Sequence, residues 1–297
     1  MIASPTMTIG AALDYASEDL RSTSESPRAD AYRLLQHALQ CSAASLIAND
    51  TNALSETVLD AFHRQVDERR AGVPIAYIVG NSGFFGATYA VNADVLIPRP
   101  ETELLVEAAV KFLARRAEDG GELKSLDVGT GSGAIACAIA RALPQASLHG
   151  TDISAAAIAL AKRNADRLNV ASSCKFFLCD LTSAMRGERY ACVIANLPYI
   201  PSAQLPKAPQ PAGYEPRCAL DGGSDGLDLY RRLLPQLPQL LVDNALVLLE
   251  AAPPVMHALT ELCGTYFPNA DIRIHRDYAQ LERFVAISTG GAIAPAE

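Results

Sequence analysis

The apolar run Cys192 to Ala195 ends in Asn196-Leu197-Pro198-Tyr199: a side-chain amide, a leucine, a proline and an aromatic ring where a buried strand stops. The Asn196 side chain offers a carbonyl oxygen as hydrogen-bond acceptor. Pro198 fixes its own backbone and biases Leu197 toward an extended conformation, which aims the Leu197 carbonyl. Tyr199 gives a flat face for stacking. Two acceptors and a ring can hold a planar NH2 group, either a glutamine side-chain amide or the exocyclic amine of adenine. Taken alone, the four residues also read as a plain strand-to-turn junction.

Other residues along the chain weigh on that choice. Asp127-Val128-Gly129-Thr130-Gly131-Ser132-Gly133 closes one strand and opens a helix near Ala134. Glycines there let the backbone turn tightly and let a ligand approach closely, although dinucleotide enzymes use similar turns. Asp127, at the strand end, can attract a cation such as the amino group of a methionine moiety. Asp152, in HGTDIS, lies about twenty residues further on, where a carboxylate can accept both ribose hydroxyls of an adenosine; a solvated strand-end aspartate is the bland alternative. Asp180-Leu181 ends a third strand, and Leu181 can pack on an adenine ring. With Asn196, these features fall at the carboxyl ends of successive strands, where open α/β sheets place ligands. Their coincidence points to one site for S-adenosylmethionine. An amide nitrogen is a poor nucleophile because its lone pair is delocalised. Accepting both of its N–H bonds at Asn196 and Leu197 would orient it, so positioning leads and electrostatics follow. Arg99, between Pro98 and Pro100, either faces this pocket or is an ordinary surface arginine. No nucleophilic Ser/His/Asp or Cys/His set is suggested by local spacing, and the five histidines read as structural.

These residues need elements to hold them. Residues 1–72 read as helical: Ala31, Leu34, Leu35 and Ala38 follow the i, i+3, i+4, i+7 pattern, and Leu54, Val58, Phe62 and Val66 repeat at four-residue steps up to Arg69-Arg70. Residues 83–97 read as a hairpin joining two domains. Strands are expected at Leu126–Val128, Ser147–Thr151, Lys175–Cys179, Tyr190–Ala195, Ala245–Leu249, Ile272–His275 and Arg283–Ser288. Ile158, Ala161, Ala165 and Leu168 mark the apolar face of an intervening helix. Repeated β–α units imply a parallel sheet covered on both faces. The short DYAQLE link (277–282) makes the last two strands an antiparallel pair. The fold class is therefore α/β, a seven-stranded Rossmann-like methyltransferase fold with a small N-terminal helical domain and a β-hairpin linker. The expected limits are 1–82, 83–97 and 98–297. The proline-rich stretch 201–216 reads as a loop over the site.

Composition narrows the classes further. The 297 residues are 49% hydrophobic and 20% charged, with net charge −8. No basic run exceeds Arg69-Arg70, which argues against a phosphate-gripping face, so no direct nucleic-acid partner is expected. No stretch approaches the ~20 apolar residues of a membrane span, and the N-terminus lacks the pattern of a secretory signal. Seven scattered cysteines, without C-x-x-C or a Cys/His cluster, read as reduced thiols in a cytoplasm with no metal site.

With these residues in place, the chain resembles the bacterial HemK/PrmC family, the peptide chain release factor glutamine N5-methyltransferases. The likeness runs through PIAYIVG (74–80), DVLIPRPETELLVE (94–107), LDVGTGSGAIA (126–136), TDIS (151–154), YEPRCALDGGSDGLDLYRRLL (214–234) and DYAQLERFVAIS (277–288). IPRPETE and the EPRCALDGG stretch are specific to this group and its close relatives. The resemblance implies S-adenosylmethionine at Asp127, Gly129 to Gly133, Asp152, Asp180-Leu181 and Asn196. It places the substrate glutamine at Asn196 to Tyr199, with Arg99 nearby. It also implies class I release factors as partners, through the glutamine of a Gly-Gly-Gln loop, with the helical domain helping to hold them and translation termination modulated as a result. Two departures are expected to lie away from the chemistry: Glu250-Ala251-Ala252 and Gln280 stand where the family carries glycine. A third is Leu197, usually proline, which keeps the carbonyl and loosens the backbone. Asn-Leu-Pro-Tyr also occurs in adenine dimethyltransferases of ribosomal RNA, so nucleic-acid adenine N6-methylation stays open. A sister family keeps open the glutamine of a ribosomal protein. A binding protein without activity is disfavoured by the intact glycine turn, Asp152 and Asn196.

Overall fold

The computed structural model describes residues 7–290. Residues 1–6 and 291–297, which the expected domain limits include, lie outside the described residues. Two compact units are present: 1–81 with 206–214, and 82–205 with 215–297.

The first unit is helical: α1 (Ile9–Asp19), α2 (Pro27–Leu39), α3 (Ala43–Ala48), α4 (Glu56–Arg70) and α5 (Ile75–Val79). The Thr8, Ser42 and Ser55 hydroxyls cap α1, α3 and α4 by accepting from the backbone N–H three residues on. Ala31, Leu34 and Leu35 of α2 and Phe62 and Val66 of α4 enter one core, as their spacing requires. Arg69, read from sequence as a helix-end cation, is buried and paired with Asp30 at 2.6 Å. Residues 206–214 belong to this unit: the Tyr214 hydroxyl donates to the Ala71 carbonyl, and a Cβ on Gly72 would lie 2.1 Å from the Pro209 carbonyl oxygen.

The second unit opens with a hairpin, β1 (Asn81–Phe84) and β2 (Ala87–Ala90). It is shorter than the 83–97 expected, because the Asn92 side chain accepts from the Asp94 N–H and turns the chain out of the strand. The hairpin is fastened by buried Asn164, whose amide bonds Ala90 at both N–H (2.8 Å) and carbonyl (3.0 Å). Next come α6 (Glu103–Glu118), β3 (Lys124–Val128), α7 (Ala134–Ala142), β4 (Ser147–Asp152), α8 (Ala155–Arg167), β5 (Cys174–Leu178) and β6 (Tyr190–Ala195). They are followed by α9 (Asp228–Leu233), β7 (Leu241–Glu250), α10 (Pro253–Tyr266), β8 (Asp271–Arg276) and β9 (Glu282–Ser288). The sheet order is β5-β4-β3-β6-β7-β9-β8, with β9 alone antiparallel to its neighbours. The terminal hairpin is thus inserted: β9 lies between β7 and β8.

Residues on each strand alternate between two cores. Cys192 and Ile194 of β6 face the layer of α6, α7 and α8; Val193 and Ala195 face that of α9 and α10. Both faces are covered, so β6 is apolar throughout. The chain leaves β3 toward β4 and β5, then returns to β6 on the other side of β3. A crevice opens beyond the strand ends at that switch point, between the turn after β3 and the turn after β6.

Candidate active site

The turn after β3 is the glycine run. Gly129, Gly131 and Gly133 all have positive φ (75°, 54° and 76°). The turn is tied to β4 by the N–H groups of Gly129 and Thr130, which both donate to the Thr151 carbonyl at 2.8 Å. Gly131 has open space where a Cβ would be, and it lines the crevice. Gly133 looks the other way, with a Cβ site 2.9 Å from Ala161 of α8, so it serves helix packing. Asp127 does not reach the crevice wall. It is fully buried beneath the turn, where its Oδ2 accepts from the Thr130 hydroxyl (2.6 Å) and the Ala136 N–H (3.3 Å). Its Oδ1 is buried without a partner among the described residues, and burial pushes its pKa up to about 7.

Asp152 ends β4. Its Oδ2 accepts from the Gly131 N–H (2.9 Å) and its Oδ1 from the Ser154 N–H (2.8 Å), so the carboxylate braces the turn. Burial raises its pKa and these backbone donors oppose the rise. Each oxygen keeps a second lone pair for a hydroxyl. Asp180 lines the crevice rim and pairs with Arg232, and Leu181 beside it is held at φ 49°. A leucine in the left-handed region costs roughly 1–2 kcal/mol, and the turn spends it to place an apolar side chain on the crevice wall.

Asn196 lines the same crevice, with Nδ2 3.1 Å from the Thr102 hydroxyl. The Leu197 N–H donates to the Tyr230 hydroxyl (3.3 Å), which itself donates to the Glu250 carbonyl. The Leu197 side chain covers Gly129, whose Cβ would come within 2.8 Å of Cδ2. No donor among the described residues reaches Asn196 Oδ1 or the Leu197 carbonyl. Pro198 lines the crevice, while Tyr199 does not; its ring packs against the core on the α9 and α10 side of the sheet. Behind the tetrapeptide, the Ile200 N–H donates to the Leu220 carbonyl and the Gly222 N–H to the Ile200 carbonyl. Gly226 packs so close to the Tyr199 carbonyl oxygen, 2.3 Å from a would-be Cβ, that no side chain fits. This accounts for the last glycine of the ALDGGSDG stretch.

Arg99 lines the crevice but is committed to a salt bridge with Glu215, a buried carboxylate that also accepts from the Ile97 N–H. The two most specific sequence stretches, IPRPETE and YEPRC, are therefore bonded to each other. The expected loop over the site is corrected: 206–214 joins the helical unit, and Cys218, Ala219 and Asp221 line the crevice instead. Sequence reading also missed Thr102 and Glu250. Thr102 lay inside a motif read only for its arginine. Glu250, set aside as remote from the chemistry, is buried beside Asn196 because Leu249 pairs with Ala195 in the sheet.

The crevice holds about 310 Å³, within the range of small-molecule sites. Its parts suit an adenosyl group and an aliphatic tail: a glycine wall without side chains, a carboxylate at the end of β4, an apolar leucine, and two uncommitted acceptors beyond. Fold and crevice together define a Rossmann-like methyltransferase. The human METTL16 catalytic domain, solved with a MAT2A 3′UTR hairpin, shares the fold at TM-score 0.54 and 14% identity, over 72% of this chain and 79% of that one. The methyltransferase small domain family matches residues 102–207, and the PrmC N-terminal domain family matches residues 11–80. The release factor glutamine methyltransferase of Bordetella pertussis is 38% identical over 90% of this chain and 96% of its own length. That of Moorella thermoacetica is 37% identical over 87% and 90%. This chain belongs to the HemK/PrmC family of release factor glutamine methyltransferases and is an enzyme of that family.

Proposed function

We propose that this enzyme methylates the N5 side-chain nitrogen of the glutamine in the Gly-Gly-Gln loop of class I peptide chain release factors. The work is done in the cytoplasm and modulates translation termination. S-adenosylmethionine, when bound, supplies a methyl group on a positively charged sulfur. Gly131 would leave room for it, Asp152 would receive its ribose hydroxyls and Leu181 would cover its adenine. Asp127 supports the turn from beneath. In this reading the helical unit helps hold the release factor, the 81–90 hairpin opens the second unit, and that second unit carries the chemistry.

The observation that carries this reading is the pair of uncommitted acceptors, Asn196 Oδ1 and the Leu197 carbonyl, in the same crevice as the glycine turn and packed beside it. A primary amide has two N–H donors to match them. Held by both, its nitrogen faces the methyl donor in a fixed direction, so positioning supplies most of the rate gain. Pro198 stiffens the presentation, and Arg99, tied to Glu215, shapes the approach.

The test is incubation with labelled S-adenosylmethionine and, separately, a purified release factor, a ribosomal protein carrying glutamine, and DNA or RNA. Label on the release factor that vanishes when its Gly-Gly-Gln glutamine is changed to alanine is the expected result. Label on nucleic acid or on the ribosomal protein alone would overturn the reading.

A further inference from the structure

An asparagine amide and a threonine hydroxyl can pair either way round, because each donates and accepts. The Asn196–Thr102 contact therefore does not by itself decide whether Asn196 presents its oxygen or its NH2 to the crevice. The third member of the group does. Glu250 ends β7 one residue beyond the Leu249–Ala195 pair, which sets it beside Asn196. It is buried, its Oε2 has no hydrogen-bond partner among the described residues, and the Thr102 and Asn196 side chains, bonded to each other, oppose the rise of its pKa. An ionised carboxylate only accepts. Its presence turns the amide NH2 and the hydroxyl proton inward and leaves the amide oxygen for the substrate.

We propose that Glu250, acting directly and through Thr102, is the positioning residue that fixes which end of the Asn196 amide meets the substrate. This rests on the reading of Asn196 as an acceptor for the glutamine NH2. Burial lifts the Glu250 carboxyl to about 7, with Glu101 adding to the rise and Thr102, Arg283 and Asn196 opposing it. Tyr230 donates to the Glu250 backbone carbonyl, and Tyr199 feels its charge. Above the midpoint the carboxylate is an acceptor and the amide is locked. Below it, the protonated acid can donate, the amide can turn over, and turnover falls with pH.

Three readouts test this on the full chain: turnover on a release factor at saturating S-adenosylmethionine, cofactor affinity by calorimetry, and the ¹⁵N side-chain amide signal of Asn196. Glu250→Leu should lower turnover at least about tenfold and leave cofactor affinity within about threefold. Glu250→Gln, like the protonated acid, can donate as well as accept. It should hold turnover at the level the wild type reaches below the inflection and remove the inflection near pH 7 from both the rate profile and the Asn196 signal. Thr102→Val should lose turnover in the same sense as Glu250→Leu. Wild-type turnover in Glu250→Leu, with turnover lost in Asn196→Ala, overturns this inference alone. Full turnover in Asn196→Ala overturns the acceptor reading beneath it. Cofactor affinity lost in step with turnover in Glu250→Leu marks general damage and counts against a positioning role. If Glu250→Leu does not fold, the wild-type protein decides: an Asn196 amide signal that does not move between about pH 6 and 8 overturns the proposal.

Discussion

Gly129→Ala tests whether the glycine turn and the tetrapeptide after β6 are one mechanical unit. Two costs arise at this position. The backbone φ of 75° is left-handed, which for alanine costs roughly 1–2 kcal/mol. The new Cβ would also lie 2.8 Å from Leu197 Cδ2, well inside the roughly 3.5–4.0 Å of a relaxed carbon pair. Overpacking of that kind typically costs about 1–3 kcal/mol. The variant should therefore lose roughly 2–5 kcal/mol of stability. Turnover on a release factor should fall by about 100-fold, since a displaced Leu197 carries its carbonyl out of place. Leu197→Ala removes the contact but not the backbone strain, so the double variant should be less destabilised than the sum of the singles by about 1–3 kcal/mol. Urea melts of the four proteins at fixed pH give this coupling directly. Additivity within about 0.5 kcal/mol would show that the two side chains do not meet, and the mechanical link would be wrong.

Asp152→Ala should weaken S-adenosylmethionine binding and loosen the turn it braces; calorimetry showing unaltered affinity would remove it from the ribose role. Asp127, with its pKa pushed up to about 7, holds a proton in the folded chain that the unfolded chain releases near pH 4. Its contribution to stability is thus present below about pH 4 and lost as pH rises through 7, by on the order of 4 kcal/mol at most. Urea midpoints at pH 4.5 and 7.5 should show a smaller fall for Asp127→Asn than for the wild type, and equal falls would refute the assignment. Gln280 sits at φ 64°, so Gln280→Gly should raise the melting temperature, by up to about 1 kcal/mol of stability. A lower melting temperature would mean that the Gln280 side chain earns its place through contacts.

The strand ends were legible because parallel strands covered on both faces are apolar without interruption, as Tyr190–Ala195 is. Once the strands were located, the rule that ligands gather at their carboxyl ends pointed to Gly129, Asp152, Leu181 and Asn196. The insertion of β9 was not drawn, although a signal existed. β9 is buried along Phe284–Ser288, as an interior strand must be, whereas β8 has no buried residue, as suits an edge. The Thr102–Asn196–Glu250 group lay beyond sequence reasoning because it gathers residues far apart in the chain and depends on β6 and β7 pairing in one register. Departure from a family pattern made Glu250 look peripheral, yet its place is set by the Leu249–Ala195 pair rather than by the glycine missing after it. The segment 206–214 was misplaced for a similar reason: its prolines mark it as irregular and do not say which unit it joins.

That segment sets an order on biosynthesis. A polypeptide emerges from its N-terminus, but the helical unit includes a piece that appears only after β3, β4, β5 and β6 have been made. The five helices can form early; the surface at Ala71 and Gly72 stays uncovered until Pro209 and Tyr214 arrive. A fragment ending near residue 82 is therefore an incomplete body, and it bares at Ala71 and Gly72 a surface that the finished protein covers.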